Sequence, residues 1–445
     1  MTSLTVNAKP GILNRIPSHL LVAASAWISR LVTAVVGLFS IRILIQGLGT
    51  EQYALYAVLG GLQGWYLLAD MGVGTSLQNH ISERRAGKQP YEDFIAMAGV
   101  IAIFLMLLSI LFLFFASPFL APLILKGFPF LNDAEKARHF FITGVISIAT
   151  CFGGIAYRIW YAEQKGYLAN VVPAVASLIS FAAIVFVARS PLEHKLYWSL
   201  VAAFGPAGML PAVAFLLQFT GSLQRSSSVK REILWPLMKR GLKFWLSAIM
   251  AAGVLQVDYL VMARFLPANE IVVYNLTSKI FGLIYFIYTA LLIAVWPVCA
   301  EAVARNDWHV VMGYVKQYIV MGVLLLSGAT LLLAFFMPEL IHLLAPGKAV
   351  MVPVLFIVIM GGYNVIRIWS DTFAMVLQSM SYLRPFVIYI PAQAVITVLL
   401  QVSLAPRFGV AGIVYALIAS FSLTAAWVLP WCVLRRKRVA LSAVE

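Results

Sequence analysis

Seven ionisable side chains fall within long apolar runs of this sequence: Arg30, Asp70, Arg158, Asp258, Lys279, Arg367 and Asp371. A charge at bilayer depth costs about 2.5–3.5 kcal/mol on insertion scales, so each needs a partner or water. The cations suit a negatively charged guest, and arginine's planar fork can give a phosphate two parallel hydrogen bonds. The acids, Asp70, Asp258 and Asp371, are the candidates to carry a proton or Na+, and hence to couple transport to an ion gradient.

At a helical period these residues fall on polar stripes. Ser29, Arg30, Thr33, Gly37 and Ser40 share a face, as do Tyr66, Asp70, Gly74 and Gln78. Thr143, Ser147, Thr150, Gly154 and Arg158 form a third face, and Asn275, Ser278, Lys279, Gly282 and Tyr285 a fourth. Asn364, Arg367, Asp371 and Gln378 form a fifth. Stripes on this many helices, drawn from both halves, predict a shared polar cavity that is basic at its inner end. Arg30, Arg158, Lys279 and Arg367 are its candidate anion ligands. Tyr66 and Tyr285 are candidates to stack on sugar rings or bond their hydroxyls.

Structural alternatives stand beside these roles. Arg367 and Asp371 are four residues apart and can neutralise each other. Asp258 and Lys279 reach similar depth on consecutive helices and can form a clasp. Arg158 can snorkel to the cytoplasmic interface. Gly60, Gly74 and Gly282 can be packing contacts instead of cavity lining.

The elements that position these residues follow from composition. The chain is 62% hydrophobic and 11% charged with mean hydropathy +0.92, which places it among all-α polytopic membrane proteins. Its long apolar runs exclude a β-barrel. The net charge of +15 sits in loops between apolar runs, so anionic lipid and topology explain it, and nucleic acid is not a partner. Cys151, Cys299 and Cys432 lack metal spacing, and the histidines lie in loops or near span ends. No GxxxxGK[ST] loop is present, so no cofactor and no direct ATP coupling is expected. The first apolar run reads as a retained helix and not a cleaved signal.

Twelve spans are expected, near 19–41, 53–76, 94–117, 140–161, 168–188, 196–219, 244–263, 271–298, 316–337, 352–378, 385–404 and 410–433. Of the Lys and Arg, twenty fall on one set of alternating segments, Lys9 and Arg15 included, and nine on the other, among them Lys348. This bias puts both termini in the cytoplasm. Gly221 to Lys243, with Lys230 and Arg240 among its six basic residues, reads as a cytoplasmic connector. Residues 1–220 and 244–445 then form two six-helix bundles related by a pseudo-two-fold axis. Prolines inside spans, such as Pro173, Pro206, Pro211, Pro297, Pro353 and Pro391, are expected to kink helices.

The run RILIQGLGTEQYALYAVLGGL from Arg42, followed by LLADMGVG at Leu67 to Gly74 and the basic loop HISERRAGK, resembles the Wzx-type polysaccharide flippases of the MOP exporter superfamily. The resemblance implies a V-shaped pair of bundles alternating access to a central cavity in the bacterial inner membrane. Its implied substrate is an undecaprenyl-pyrophosphate-linked oligosaccharide, the O-antigen or a related repeat unit. Implied partners are membrane lipids, H+ or Na+, and a polysaccharide polymerase with its chain-length regulator. The family's motif acid maps onto Asp70. Two other readings remain: a drug/ion antiporter of the same superfamily, which a basic cavity disfavours, and a polytopic polymerase or ligase of lipid-linked sugars. That enzyme class needs a long outer loop with catalytic groups, and none is evident here, so no enzymatic activity is expected.

Overall fold

A computed structural model of the chain describes residues 18–226, 231–346, 350–380, 382 and 384–442. Lys9, Arg15, Lys230 and Lys348, which entered the charge count, lie outside the described residues, as does the side chain of Pro297. The described elements are all helical. The first half holds α1 (Ser18–Gly61), α2 (Gln63–Tyr66), α3 (Val73–Ala86), α4 (Glu92–Ile124), α5 (Asp133–Ala162), α6 (Gly166–Arg189) and α7 (Lys195–Arg225). The second holds α8 (Arg231–Leu255), α9 (Asp258–Phe265), α10 (Ala268–Ala304), α11 (Trp308–Leu344), α12 (Val354–Ser379), α13 (Arg384–Leu423) and α14 (Ala425–Ser442). Among the described residues nine helices are long and apolar enough to cross a membrane, or ten if α8 and α9, bent by 43°, make one span.

At about 1.5 Å per residue, the 44 residues of α1 and the 40 of α13 far exceed a hydrocarbon core of about 30 Å. Both helices break at a glycine: Gly49 at φ 77°, and Gly409 at φ 60°. At Gly409 a side chain is also excluded by space, since a Cβ would lie 2.3 Å from Glu270 Oε2. That carboxylate accepts from Val410 N at 2.5 Å and so caps the segment that follows. Asn132 and Glu135 close a reciprocal capping box at the start of α5, and Asp307 accepts from Val310 N at the start of α11.

The bundle is apolar outside, with Phe104, Phe112, Phe119, Leu324 and Phe335 exposed, while Thr143, Ser76, Thr372 and Gln401 are buried. α5 packs on α4 and α7, and α1 on α6; in the second half α12 packs on α10, α11 and α13. The halves meet where α1 touches α10 and α3 touches α8. Gly60 packs on Phe204, whereas a Cβ added at Gly282 would meet nothing within 4 Å, since that glycine lines a cavity.

The stretch expected to connect the halves is helical over most of its length, since α7 reaches Arg225 and α8 begins at Arg231. One of its basic residues ties the halves together. Arg240 donates to both carboxylate oxygens of Glu83, at 2.6 and 3.0 Å. These hydrogen bonds hold the Glu83 carboxyl below its ordinary pKa.

Candidate functional site

The LLADMGVG motif is a break in a helix. α2 ends at Tyr66, Met71 and Gly72 take left-handed backbone at φ 49° and 75°, and α3 starts at Val73. Gly72 is required there, because a Cβ would lie 2.2 Å from the Gly241 carbonyl oxygen of the facing α8. Asp70 accepts from the Gly72 N–H at 2.9 Å and the Gly74 N–H at 3.1 Å. It therefore satisfies the exposed amides at the head of α3, where a negative charge also meets the positive end of the helix.

A second break faces the first, between α8 and α9. Trp65 Nε1 donates to the Gln256 carbonyl at 3.0 Å, and Trp245 Nε1 donates to the Leu68 carbonyl at 2.7 Å. Each half thus supplies an indole to a carbonyl beside the other half's break.

Two cavities, walled mainly by the first half and closed by α8 or α10 of the second, surround charged residues. One, of about 480 Å³, is lined by Asp70, Thr75, Thr150, Tyr157, Arg158, Tyr161 and Trp245. Arg158 is exposed there and donates to Gln78 Oε1 at 3.3 Å. The other, of about 330 Å³, is lined by Thr33, Ser40, Tyr56, Ser177, Ser180 and Lys279, and shares Thr150 and Tyr157 with the first. Lys279 reaches into it from α10 with its side chain accessible. Among the described residues no carboxylate forms an ion pair with Lys279 or Arg158.

A third cavity, of about 300 Å³, lies in the second half and holds Asp258, Tyr274, Ser278, Tyr285, Tyr363, Asn364 and Arg367. Arg367 lies 3.7 Å from Asp371 and 4.2 Å over the Tyr285 ring. Tyr285 donates its hydroxyl to Asp371, and Tyr274 donates to Asp258. Lys279 and its neighbour Ser278 line different cavities, so α10 stands between them. The sequence suggested one chamber between the bundles; Arg158 and Lys279 line two adjoining cavities to which both halves contribute, and Asp258 and Arg367 line a separate one in the second half.

The other expected partners fall elsewhere. Asp258 and Lys279 do not pair, because Asp258 is taken up by Tyr274 and the Tyr259 N–H. Arg30 is exposed, lies 4.9 Å over the Phe286 ring and lines none of the three cavities. Tyr66 packs against Phe140, 6.1 Å between ring centroids, and also lies outside all three. Among the described residues no cluster of His, Cys, Asp or Glu could hold a metal ion.

A protein of Yersinia pseudotuberculosis, provisionally named an O-antigen export protein, is 38% identical over 422 residues, covering 94% of this chain and 96% of that one. A provisionally named O-antigen transporter of Salmonella typhi is 35% identical over 96% of this chain and 99% of its own length. The chain belongs to the O-antigen transporter family. No family model matches it. In fold it is similar to an inward-facing multidrug resistance MATE family transporter of the MOP superfamily, with a TM-score of 0.74 at 13% identity over 93% of this chain and 96% of that one. It is also similar to the lipid II flippase MurJ in an inward closed conformation, with a TM-score of 0.70 at 12% identity over 92% and 87%. It is thus a multi-pass protein of the bacterial inner membrane, with the MOP exporter fold.

In this O-antigen transporter family member, sequence reading passed over a chain of hydrogen bonds joining the halves. Tyr53 donates to Asn275 Oδ1 at 2.9 Å, and Asn275 Nδ2 donates to the Tyr259 hydroxyl at 2.7 Å. Tyrosines near span ends read as interfacial anchors, and nothing local distinguishes Tyr53 from one. Tyr157, on the wall of both first-half cavities, was missed for the same reason.

Proposed function

We propose that this transporter is a flippase that turns an undecaprenyl-pyrophosphate-linked O-antigen repeat unit from the cytoplasmic to the periplasmic leaflet. The names of its relatives and the MOP fold support export of a lipid-linked saccharide. One observation carries the reading to a site: Lys279, a cation without a carboxylate partner, faces a first-half cavity of about 330 Å³ that shares its wall with the cavity of Arg158. An ammonium at bilayer depth without a counter-charge is costly unless an anion or water meets it. We assign Lys279 and Arg158 as ligands of the diphosphate, with Tyr157 on the wall between them.

Counting α8 and α9 as one span and splitting α1 at Gly49 and α13 at Gly409 gives our count of twelve crossings, in bundles of residues 1–220 and 244–445 joined by the basic connector 221–243, with both termini cytoplasmic. We assign ion coupling to Asp258 and Asp371, whereas Asp70 acts as a cap in this conformation. The chain works as a transporter without catalytic chemistry of its own. A cationic-drug antiporter is disfavoured, because the first-half cavities hold Lys279 and Arg158 against one acid already engaged by backbone amides.

The test is complementation of a strain lacking this gene. Loss of surface polysaccharide with lipid-linked units accumulating on the cytoplasmic leaflet supports the flippase reading. Unpolymerised units accumulating in the periplasmic leaflet would contradict it and point to polymerisation.

A further inference from the structure

Basic side chains outside the cavities are of two kinds. Several find a counter-charge within the chain: Arg240 meets Glu83 at 2.6 Å, Lys165 meets Glu163 at 2.8 Å and Arg305 meets Glu301 at 2.5 Å. The run Arg435, Arg436, Lys437 and Arg438 on α14 has no carboxylate partner among the described residues. Its sequence neighbourhood offers none, because no Asp or Glu occurs between Asp371 and Glu445. The end of α14 also touches the turn before α11, where Asn306 Nδ2 donates to the Ala440 carbonyl at 3.3 Å. The acids of that turn are occupied: Glu301 by Arg305, and Asp307 as the cap of α11. Adjacent cations repel one another, so a counter-charge from outside the chain is favoured here.

The helix beneath the cluster sets its depth. At a helical period Trp427, Trp431, Leu434 and Arg438 fall on one face of α14. The first three are 58%, 54% and 42% exposed, and Arg435 and Arg438 are exposed beyond them. Exposed tryptophans mark the level of the bilayer interface, and Arg438 lies about 10 Å past Trp431 along the helix. The apolar stripe therefore runs into cations at the depth of phospholipid headgroups. Aromatic rings hold two of the guanidiniums there, Arg435 at 5.4 Å over Trp431 and Arg436 at 4.0 Å over Tyr382 of the α12–α13 turn. A ring steadies the cation without consuming its N–H donors, which stay free for phosphate oxygens.

We propose that this end of α14, with the α12–α13 turn, is a docking surface for the headgroups of anionic phospholipids such as phosphatidylglycerol. A lipid diphosphate shares the phosphate chemistry, but its assigned ligands Lys279 and Arg158 face cavities within the bundle, whereas this stripe faces the surrounding bilayer. The proposal is independent of which substrate the chain carries.

The test places the full chain in phosphatidylcholine nanodiscs doped with a spin-labelled phospholipid and measures the fraction of label immobilised by the protein. Labelled phosphatidylglycerol is expected to be preferred over labelled phosphatidylcholine by about fivefold, less at high salt. Arg435→Gln, Arg436→Gln and Arg438→Gln combined should abolish the preference, with thermal melting in phosphatidylcholine alone matching the wild type. Tyr382→Leu keeps every charge, and hence the orientation in the membrane, and should reduce the preference by about twofold. An unlabelled short polyprenyl diphosphate should displace the labelled phosphatidylglycerol no better than unlabelled phosphatidylglycerol does. The surface is overturned if the wild type shows no preference, if the triple variant keeps it, or if the diphosphate displaces the label far more effectively. Should the triple variant fail to fold, Tyr382→Leu alone decides, and an unchanged preference overturns the proposal.

Discussion

Lys279 and Arg367 are both cations at bilayer depth, and their surroundings give them different work. Arg367 has its counter-charge four residues away and two tyrosine rings, Tyr285 and Tyr363, within cation–π reach. Removing Asp371 leaves that guanidinium without its carboxylate, so Asp371→Asn should lower stability by about 1–3 kcal/mol, discounted because the pair is partly exposed. Arg367→Met combined with Asp371→Leu should cost less than either change alone, read as thermal stability in detergent. Lys279 has no such pair, so Lys279→Ala should leave thermal stability unchanged or raised while abolishing export. That these positions carry charge at membrane depth was legible in the sequence, because a charge inside an apolar run is conspicuous. Their partners were legible only within one helix turn: the Arg367–Asp371 spacing was readable, whereas Tyr285 meets Asp371 across 86 positions.

The breaks in α2–α3 and α8–α9 belong to the scale of the element. LLADMGVG was read as carrying a functional acid, and here the acid caps a helix whose start is fixed by Met71 and Gly72 in left-handed backbone. Gly72→Ala should destabilise the protein severely, because strain in the left-handed region adds to a clash with the Gly241 carbonyl. Trp65→Phe removes the indole donor of the Gln256 carbonyl and should cost about 1–3 kcal/mol in thermal unfolding, whereas Trp245→Phe should cost less, because the Leu68 carbonyl also accepts from the Met71 N–H at 3.2 Å. The Glu83–Arg240 bridge, at the cytoplasmic end of α3, gives a pH signature. Glu83 is held below its ordinary value of 4.5, so its contribution is present above about pH 4.5 and is lost as pH falls through the lowered value. Melting temperatures of wild type and Glu83→Gln should accordingly differ at pH 7 and converge in acid. Two glycines in one octapeptide hint at a break, but what each packs against comes from the facing helix and could not be read.

For the whole molecule, composition was enough to read a polytopic helical membrane protein, because the bilayer permits few other solutions. How the halves meet was not legible. Tyr53 and Asn275, which close them together, stand 222 positions apart. That contact and its continuation to Tyr259 tie α1 to α10 and α9, so Tyr53→Phe should favour separation of the halves at this point. Spin labels placed across the seam should report a longer or broader distance distribution in Tyr53→Phe than in wild type. The grouping of charges also emerges only at this scale: stripes on five helices pointed to one chamber, whereas Lys279 and Arg158 line adjoining cavities on one side of α10 and Arg367 and Asp258 line another on its far side.

The most direct test of the account is binding of an undecaprenyl-pyrophosphate-linked repeat unit to the purified transporter, measured for the wild type, Lys279→Ala, Arg158→Ala and Arg30→Ala. Loss of at least about tenfold in affinity is predicted for Lys279→Ala and Arg158→Ala, with Arg30→Ala close to wild type. Wild-type affinity in both Lys279→Ala and Arg158→Ala would contradict a diphosphate site in the first-half cavities.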